Sequence, residues 1–467
     1  MTGTASEDKL HEECGVFGIY AQEGAEAAKD IYHGLTALQH RGQESAGISV
    51  SDTQGPKGNA MTRKGMGLVS EVFSSSDIEA LKGNIAVGHV RYSTTGGSIP
   101  ENAQPITMNY IKGMISLVYN GNLVNTKALK EKQMYRGQAH FTTSDSEVIA
   151  YEIISARIGS DSIENAVLAA AKNLKGGYAL IVMSPRKLVA LRDPFGIKPL
   201  IMGRRDNAYI IASESAAIEA VGGEIIRDIE PGEMVTVGTD GIKSDRSLCG
   251  SKHAHCAFEY IYFARADSRI DGVEVRDARI EAGRLLAAED KVEADIVVGV
   301  PDSGLLAAEG YAGASGIPFA IGFHKNSYIG RSFIKPSDSE RQTAVHMKLS
   351  VLKSVVNGKR IVLIDDSIVR GTTMRQIIEM LRNAGAKEVH VRISSPPFLY
   401  PCYYGTDVPT AKQLIASEHS TEEVCGRIGA DSLAYLRVED LSVMAGGLSL
   451  CKACFDNVYP IDVSEGR

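Results

Sequence analysis

Several things are missing from this chain, and each absence narrows what it can be. No apolar stretch approaches the roughly eighteen residues that a membrane-spanning helix needs. The opening MTGTASEDKLHEE carries no apolar core of a secretory signal. Cysteine is scarce: seven in 467 residues cannot staple a fold of this size, so the thiols are candidates for a nucleophile, for metal ligands, or for neither. There is no basic excess, since the net charge is −7 and the pI about 5.9, which argues against bulk attraction to nucleic acid or to an anionic membrane. Internal repeats and low-complexity tracts are absent as well. A cytoplasmic protein that binds neither nucleic acid nor membrane is the expectation.

What is present suits two or three domains with full cores: 44% of residues are hydrophobic and 23% charged. The first half is rich in short strand-like runs, GVFGIY (15–20), AGISV (46–50), NIAVGHV (84–90), ISLVYN (115–120), ALIVM (179–183) and LVALR (188–192). Glycine-bearing turns separate them, and helical patterns fall near 25–39 and 145–158, an order that predicts α+β with antiparallel sheets. From about residue 250 apolar strands that end in polar loops alternate with helices, the pattern of an α/β parallel sheet. The change of grammar falls in the polar stretch from Gly238 to Lys252.

The most informative run is IVLIDDSIVRGTT, Ile361 to Thr373. Four apolar residues read as a buried parallel strand, and Asp365 and Asp366 stand at its C-terminal end, where α/β sheets bind ligands. Arg370-Gly371-Thr372-Thr373 then opens an amphipathic helix, whose free N–H groups suit a phosphate. Paired carboxylates suit a sugar's hydroxyls or a divalent metal. Together they describe a site for a phosphorylated ribose with magnesium, against the plainer reading of a strand-turn-helix with acids in solvent. The run resembles the phosphoribosyl-pyrophosphate loop of type I phosphoribosyltransferases. That resemblance implies binding through Asp365, Asp366, Ser367, Arg370, Gly371, Thr372 and Thr373.

A second loop, PDSG at 301–304, follows the strand-like run 296–300 and precedes an alanine-rich helix; its small residues let backbone N–H groups cradle a pyrophosphate. The stretch from Pro301 to Ile334 resembles the amidophosphoribosyltransferase family, in which the serine of this loop, here Ser303, joins the two aspartates as a magnesium ligand. Residues 325–349 are basic and polar without clear periodicity, as a lid closing over substrate would be. Lys325, Arg331 and Lys348 are its candidate phosphate partners.

Cys14, taken alone, reads as a buried small hydrophobe ahead of a strand. Four further motifs change that reading: HRGQESAGI (40–48), HVRYSTTGG (89–97), NGNL (120–123) and TSDSE (143–147). With CGVFGIY they resemble the N-terminal-nucleophile glutaminase domain of class II glutamine amidotransferases, whose fold is a four-layer αββα sandwich. A thiol with an ordinary pKa of about 8.5 is mostly protonated at neutral pH, whereas a free α-amine at about 7.7–8.0 can serve as its base. While residues 1–13 remain attached that nitrogen is an amide, so cleavage between Glu13 and Cys14 is expected. By resemblance, Arg91 would hold the glutamine carboxylate and Asp145 its ammonium, with Asn120 and Gly121 forming the oxyanion hole. His40 and His89 are expected to be structural.

Of the remaining cysteines only Cys451 and Cys454 have compact CxxC spacing, compatible with zinc, iron–sulfur or redox use. CAFEYIYFARADS (256–268), SSPPFLYPCYYG (394–405) and CKACF (451–455) resemble the segments that hold a [4Fe–4S] cluster in one branch of the family. This implies Cys256, Cys402, Cys451 and Cys454 as ligands, with Cys249 and Cys425 left over and zinc as the alternative. Ala266 and Arg437 depart from that likeness, standing where proline and serine are expected.

The resemblance thus divides the chain into a propeptide (1–13), an amidotransferase domain (14–245) and a phosphoribosyltransferase domain (246–467). It implies conversion of glutamine, phosphoribosyl pyrophosphate and water to 5-phosphoribosylamine, glutamate and pyrophosphate, a pentosyl transfer that opens purine synthesis. It also implies ammonia passed between two sites, one Mg2+ and one [4Fe–4S] cluster per subunit, a homotetramer, and purine nucleotides as feedback inhibitors. Two rivals fail on particular residues. A phosphoribosyl-binding regulator would not need the Cys14 set and would carry a DNA-reading module. A sugar-phosphate-forming amidotransferase would lack VLIDDSIVRGTT.

Overall fold

A computed structural model describes residues 14–22, 24–92, 97–326, 349–406, 408 and 410–464. The first half stacks two antiparallel sheets. In the seven-stranded sheet, Gly15–Tyr20 lies between Ile85–Arg91 and Ala208–Ala212, with Ser45–Ser51 beyond Ile85–Arg91. The six-stranded sheet is built around Gly113–Leu123, Gly176–Met183 and Leu188–Arg192.

Strand alternation explains the layers, because successive side chains leave opposite faces. Val16 and Tyr20 point into the inter-sheet core with Val118, Ile181 and Leu188, whereas Phe17 and Ile19 point outward under a helix. That helix, Ala27–Ala37, buries Ile31 and Leu35, and its Gly34 lies so close to the Phe17 ring that a Cβ would sit 2.4 Å from it. On the far side Asp145–Gly159 and Ile163–Ala171 cover the second sheet through Val148, Ile149 and Val167. Helix, sheet, sheet, helix is the αββα sandwich expected, and strand and helix positions follow the sequence reading to within a few residues.

The second half holds a parallel sheet in the order Ile296–Gly299, Arg360–Asp365, Glu388–Ile393, Ser432–Tyr435. One face packs Val297, Val362 and Ile364 against the helices Val275–Ala288 and Gly304–Ser315. These two helices cross at van der Waals limit: a Cβ on Gly283 would lie 1.9 Å from the Ala307 carbonyl oxygen, and one on Gly310 equally near that of Ile280. The other face packs Val298, Ile361 and Leu363 against Thr372–Asn383, whose Ile377, Ile378 and Leu381 form the expected apolar stripe. The parallel α/β expectation is met.

The halves are continuous in their packing. Phe258, Tyr260, Ile261 and Phe263 share one buried cluster with Phe17, Ile31 and Leu35. Among the described residues no helix is long and apolar enough to cross a membrane. The N-terminal thirteen residues, Ser93 to Gly96 of the HVRYSTTGG motif, and the candidate lid residues Arg331 and Lys348 lie outside the described residues.

Candidate functional site

Cys14 stands immediately before Gly15–Tyr20, and because Gly15 pairs with Val90 the thiol comes to the end of the strand that carries Arg91. It is 8% exposed, and its Sγ donates to the Tyr92 carbonyl at 3.3 Å. Burial pushes the thiol up to about 11, so it is protonated at neutral pH. Asn120 and Gly121 lie on Gly113–Leu123. Asn120 is 1% exposed, and its Nδ2 has no hydrogen-bond partner. A buried amide left unpaired is costly unless something else completes it, about 1–3 kcal/mol. Gly121 adopts φ +147°, and a Cβ there would fall 2.1 Å from the Gly177 carbonyl oxygen, so only glycine fits.

Arg91 is buried, with Nη1 donating to Glu44 Oε2 at 3.3 Å and to the Gly97 carbonyl at 3.4 Å. Asp145 opens its helix behind the cap of Ser144, and its Oδ2 accepts from Tyr119 Oη at 2.8 Å and from the Leu123 N–H at 3.3 Å. Burial raises its pKa, while those bonds and Arg91 pull it back. A carboxylate buried in this way is suited to a cationic ligand.

Sequence reasoning missed the support beneath the thiol. Arg41, 1% exposed, donates from Nε to the Cys14 carbonyl at 3.1 Å, from Nη1 to Glu214 at 2.6 Å and from Nη2 to Glu259 at 2.6 Å. Glu214 also takes His40 Nε2 at 2.7 Å, the Arg265 N–H at 2.9 Å and Ser268 Oγ at 2.7 Å. The HRG motif held Arg41, but its glutamate partners lie 173 and 218 residues away and carry no local signal. His40 is thus part of this support, and His89 is tied by Nε2 to the Tyr119 carbonyl at 3.0 Å.

In the second half the paired acids divide their work. Asp366 accepts Ser303 Oγ on Oδ1 and Ser367 Oγ on Oδ2, both at 2.5 Å, while Asp365 Oδ1 accepts the Asp366 N–H at 3.0 Å. Two carboxylates and two hydroxyls drawn together from two loops are hard oxygen donors of the kind magnesium takes. Gly371 caps Thr372–Asn383 at φ +84°, with Thr372 and Thr373 in its first turn, and the positive end of the helix dipole there favours an anion. Arg370 Nη2 reaches Gln413 at 3.5 Å. Lys325 is ion-paired with Asp302 of the PDSG loop. Arg279, buried, donates to the carbonyls of Tyr260, Tyr262 and Ala264 at 3.0, 2.9 and 2.7 Å, and burial lowers its pKa against the charge of Asp366.

Cys256, Cys402, Cys451 and Cys454 line one cavity with Phe258, Phe398 and the buried Lys198. Parallel pairing of His255–Cys256 with Leu450–Cys451 sets two of the thiols side by side. Burial pushes the Cys451 thiol up to about 12 and that of Cys454 well above its ordinary value, so neither is a bare thiolate at neutral pH. Among the described residues no three His, Cys, Asp or Glu side chains are gathered as around a single ion. Arg437, the departure noted above, pairs with Asp440 at 2.9 Å, on the surface away from these sites.

Geometry and motifs together define a glutamine amidotransferase joined to a phosphoribosyltransferase. Residues 89–220 match the glutamine amidotransferase domain family and residues 278–394 the phosphoribosyl transferase domain family. The amidophosphoribosyltransferase of Bacillus subtilis is 47% identical over 464 residues, covering 98% of this chain and 96% of that one. That of Archaeoglobus fulgidus is 47% identical over 454 residues, covering 96% and 98%. The solved B. subtilis glutamine phosphoribosylpyrophosphate amidotransferase, complexed with ADP and GMP, superimposes with a TM-score of 0.89 at 46% identity, over 96% of this chain and 98% of that one. The chain belongs to the amidophosphoribosyltransferase family.

The buried Arg41 support has a pH signature. Burial alone would raise the Glu214 pKa, but the charges of His40 and Arg41 outweigh it and hold the carboxyl far below its unfolded value of 4.5. Its contribution to stability is therefore complete above pH 4.5 and lost as pH falls through the lower folded value. Glu214→Gln is expected to lower stability by about 3–5 kcal/mol near neutrality, the effect of breaking a buried pair. Urea midpoints measured against pH should show that gap narrowing below 4.5; a gap constant through the acid range would contradict it.

Proposed function

We propose that this chain forms 5-phosphoribosylamine from glutamine, phosphoribosyl pyrophosphate and water, releasing glutamate and pyrophosphate, as the entry step of purine synthesis in the cytoplasm. The observation that carries this reading is the unpaired, buried Asn120 amide in the half that also buries Cys14, in a chain whose other half holds Asp365 and Asp366 just before a helix N-terminus.

Removal of residues 1–13 frees the Cys14 α-amine. That amine takes the thiol proton as Sγ attacks the glutamine amide carbon, with Arg91 on the substrate carboxylate and Asp145 on its ammonium. Asn120 Nδ2 and the Gly121 N–H hold the tetrahedral oxygen. The amine returns the proton to the departing ammonia, leaving a γ-glutamyl thioester that water hydrolyses to glutamate. Ammonia then crosses an enclosed passage to the ribose C1, displacing pyrophosphate. Free ammonia in water is mostly protonated at neutral pH, so the passage preserves the nucleophile.

In the second half Ser303, Asp365 and Asp366 would hold one Mg2+, which neutralises pyrophosphate charge when bound. The N–H groups of Gly371, Thr372 and Thr373 take the 5-phosphate with Ser367 and Arg370, and Lys325 leaves Asp302 for the pyrophosphate. Cys256, Cys402, Cys451 and Cys454 would hold one [4Fe–4S] cluster, a structural tie for the C-terminal segment. A homotetramer inhibited by purine nucleotides completes the proposal; the B. subtilis relative complexed with ADP and GMP supports its nucleotide-binding part.

Cys14→Ala should abolish glutamine-dependent product while ammonia-dependent product persists, and Asn120→Ala should lower glutamine-dependent kcat by about 100- to 1000-fold. Product formation by Cys14→Ala from glutamine would overturn the reading. Anaerobically purified protein should contain iron and acid-labile sulfide in equal amounts, lost with the associated visible absorbance in Cys454→Ser; stoichiometric zinc instead would overturn the cluster.

A further inference from the structure

The strand that carries Asn120 and Gly121 is held from the other half of the chain. Asn122 Nδ2 donates to the Tyr403 carbonyl at 2.9 Å across 281 residues. Gly405, at φ +112°, lays its backbone on Gly121: a Cβ there would come within 3.1 Å of the Gly121 carbonyl carbon and 3.3 Å of its Cα. Gly177 pairs with Asn122 across the sheet, and a Cβ on Gly177 would meet Tyr404 Cβ at 3.2 Å. Gly121 is thus enclosed between the Gly177 carbonyl on one side and the 403–405 backbone on the other.

That backbone is itself anchored. The Tyr404 N–H reaches Cys402 Sγ at 3.4 Å, and Tyr404 Oη donates to the Ile461 carbonyl at 2.8 Å while accepting the Ile461 N–H at 3.1 Å. Tyr404 is buried with Val124, Ile197 and Val463, in a cluster against which Cys256, Cys402 and Cys451 pack. An oxyanion donor works only when held to within about 0.5 Å of its productive position. Glycine at 121 has no side chain to fix its peptide plane, so its neighbours must do so.

We propose that Asn122 and the segment Tyr403–Gly405 form a strut that aims the oxyanion donors, making Asn122 a positioning residue for glutamine hydrolysis. The proposal rests on the glutaminase reading above. The strut acts on the tetrahedral state and leaves the grip of Arg91 and Asp145 on bound glutamine untouched. A segment that carries a cluster ligand thereby sets the competence of a site in the other domain.

The test uses the processed, full-length holoenzyme and the γ-aldehyde analogue of glutamine. Cys14 Sγ adds to its carbonyl carbon, the C=O π bond opens, and the thiol proton ends on the oxygen, which lies in the oxyanion hole with no leaving group. Asn122→Ala and, separately, Gly405→Ala are expected to weaken aldehyde binding by at least about tenfold and to lower glutamine-dependent kcat in parallel. Glutamate affinity, KM for glutamine and ammonia-dependent turnover should stay within about twofold. Aldehyde affinity unchanged in both variants overturns the strut. So does an equal fall in aldehyde binding, glutamate binding and ammonia-dependent turnover, which would mark a merely structural role. A wild-type protein that binds no aldehyde overturns the glutaminase reading itself, and the strut with it.

Discussion

Arg41 donates one nitrogen to the carbonyl of Cys14 and the others to Glu214 and Glu259, and all of this happens out of water. The charges are affordable only because each is met: a guanidinium between two carboxylates, with His40, Ser268 and the Arg265 N–H completing Glu214. Three parts of the molecule are fastened at this point. One is the residue proposed to attack glutamine; another is the loop before Ser215–Ala220; the third is the segment that begins the second half and carries Cys256. The same segment passes its carbonyls to Arg279.

Each half has a physical problem suited to its residues. The glutaminase side must create a nucleophile where burial has suppressed one, and the proposed removal of residues 1–13 would supply the base. The transferase side must hold a polyanion, and the proposed means are a helix end, glycine-bearing loops and paired acids that suit a metal. A reactive, easily protonated intermediate has to pass between them. That requirement explains why the halves share one hydrophobic cluster and are not joined by a loose linker.

Sequence made some of this legible and hid the rest for a definite reason. IVLIDDSIVRGTT is a complete local device of strand, acids, glycine cap and helix, so its form follows from spacing alone, as do the alternation of GVFGIY and the stripe of Ile377, Ile378 and Leu381. The αββα layering followed from resemblance, and the sheets bear it out. Arg41 with Glu259, Asn122 with Tyr403 and Lys198 beside the four cysteines were not legible. Their members lie far apart in the chain and acquire meaning only when two domains close on each other. Lys325 shows a subtler gap: its type suggested a phosphate partner, but nothing local announced that Asp302 would hold it meanwhile.

The central claim is that both sites serve one reaction, so the decisive measurement follows glutamate and pyrophosphate together during turnover of anaerobically purified protein. Supplied with glutamine and phosphoribosyl pyrophosphate, the enzyme should release the two products in equal amounts, each depending on the presence of both substrates. Full-rate release of either product from a single substrate, or a ratio that drifts from equality as turnover proceeds, would contradict the account.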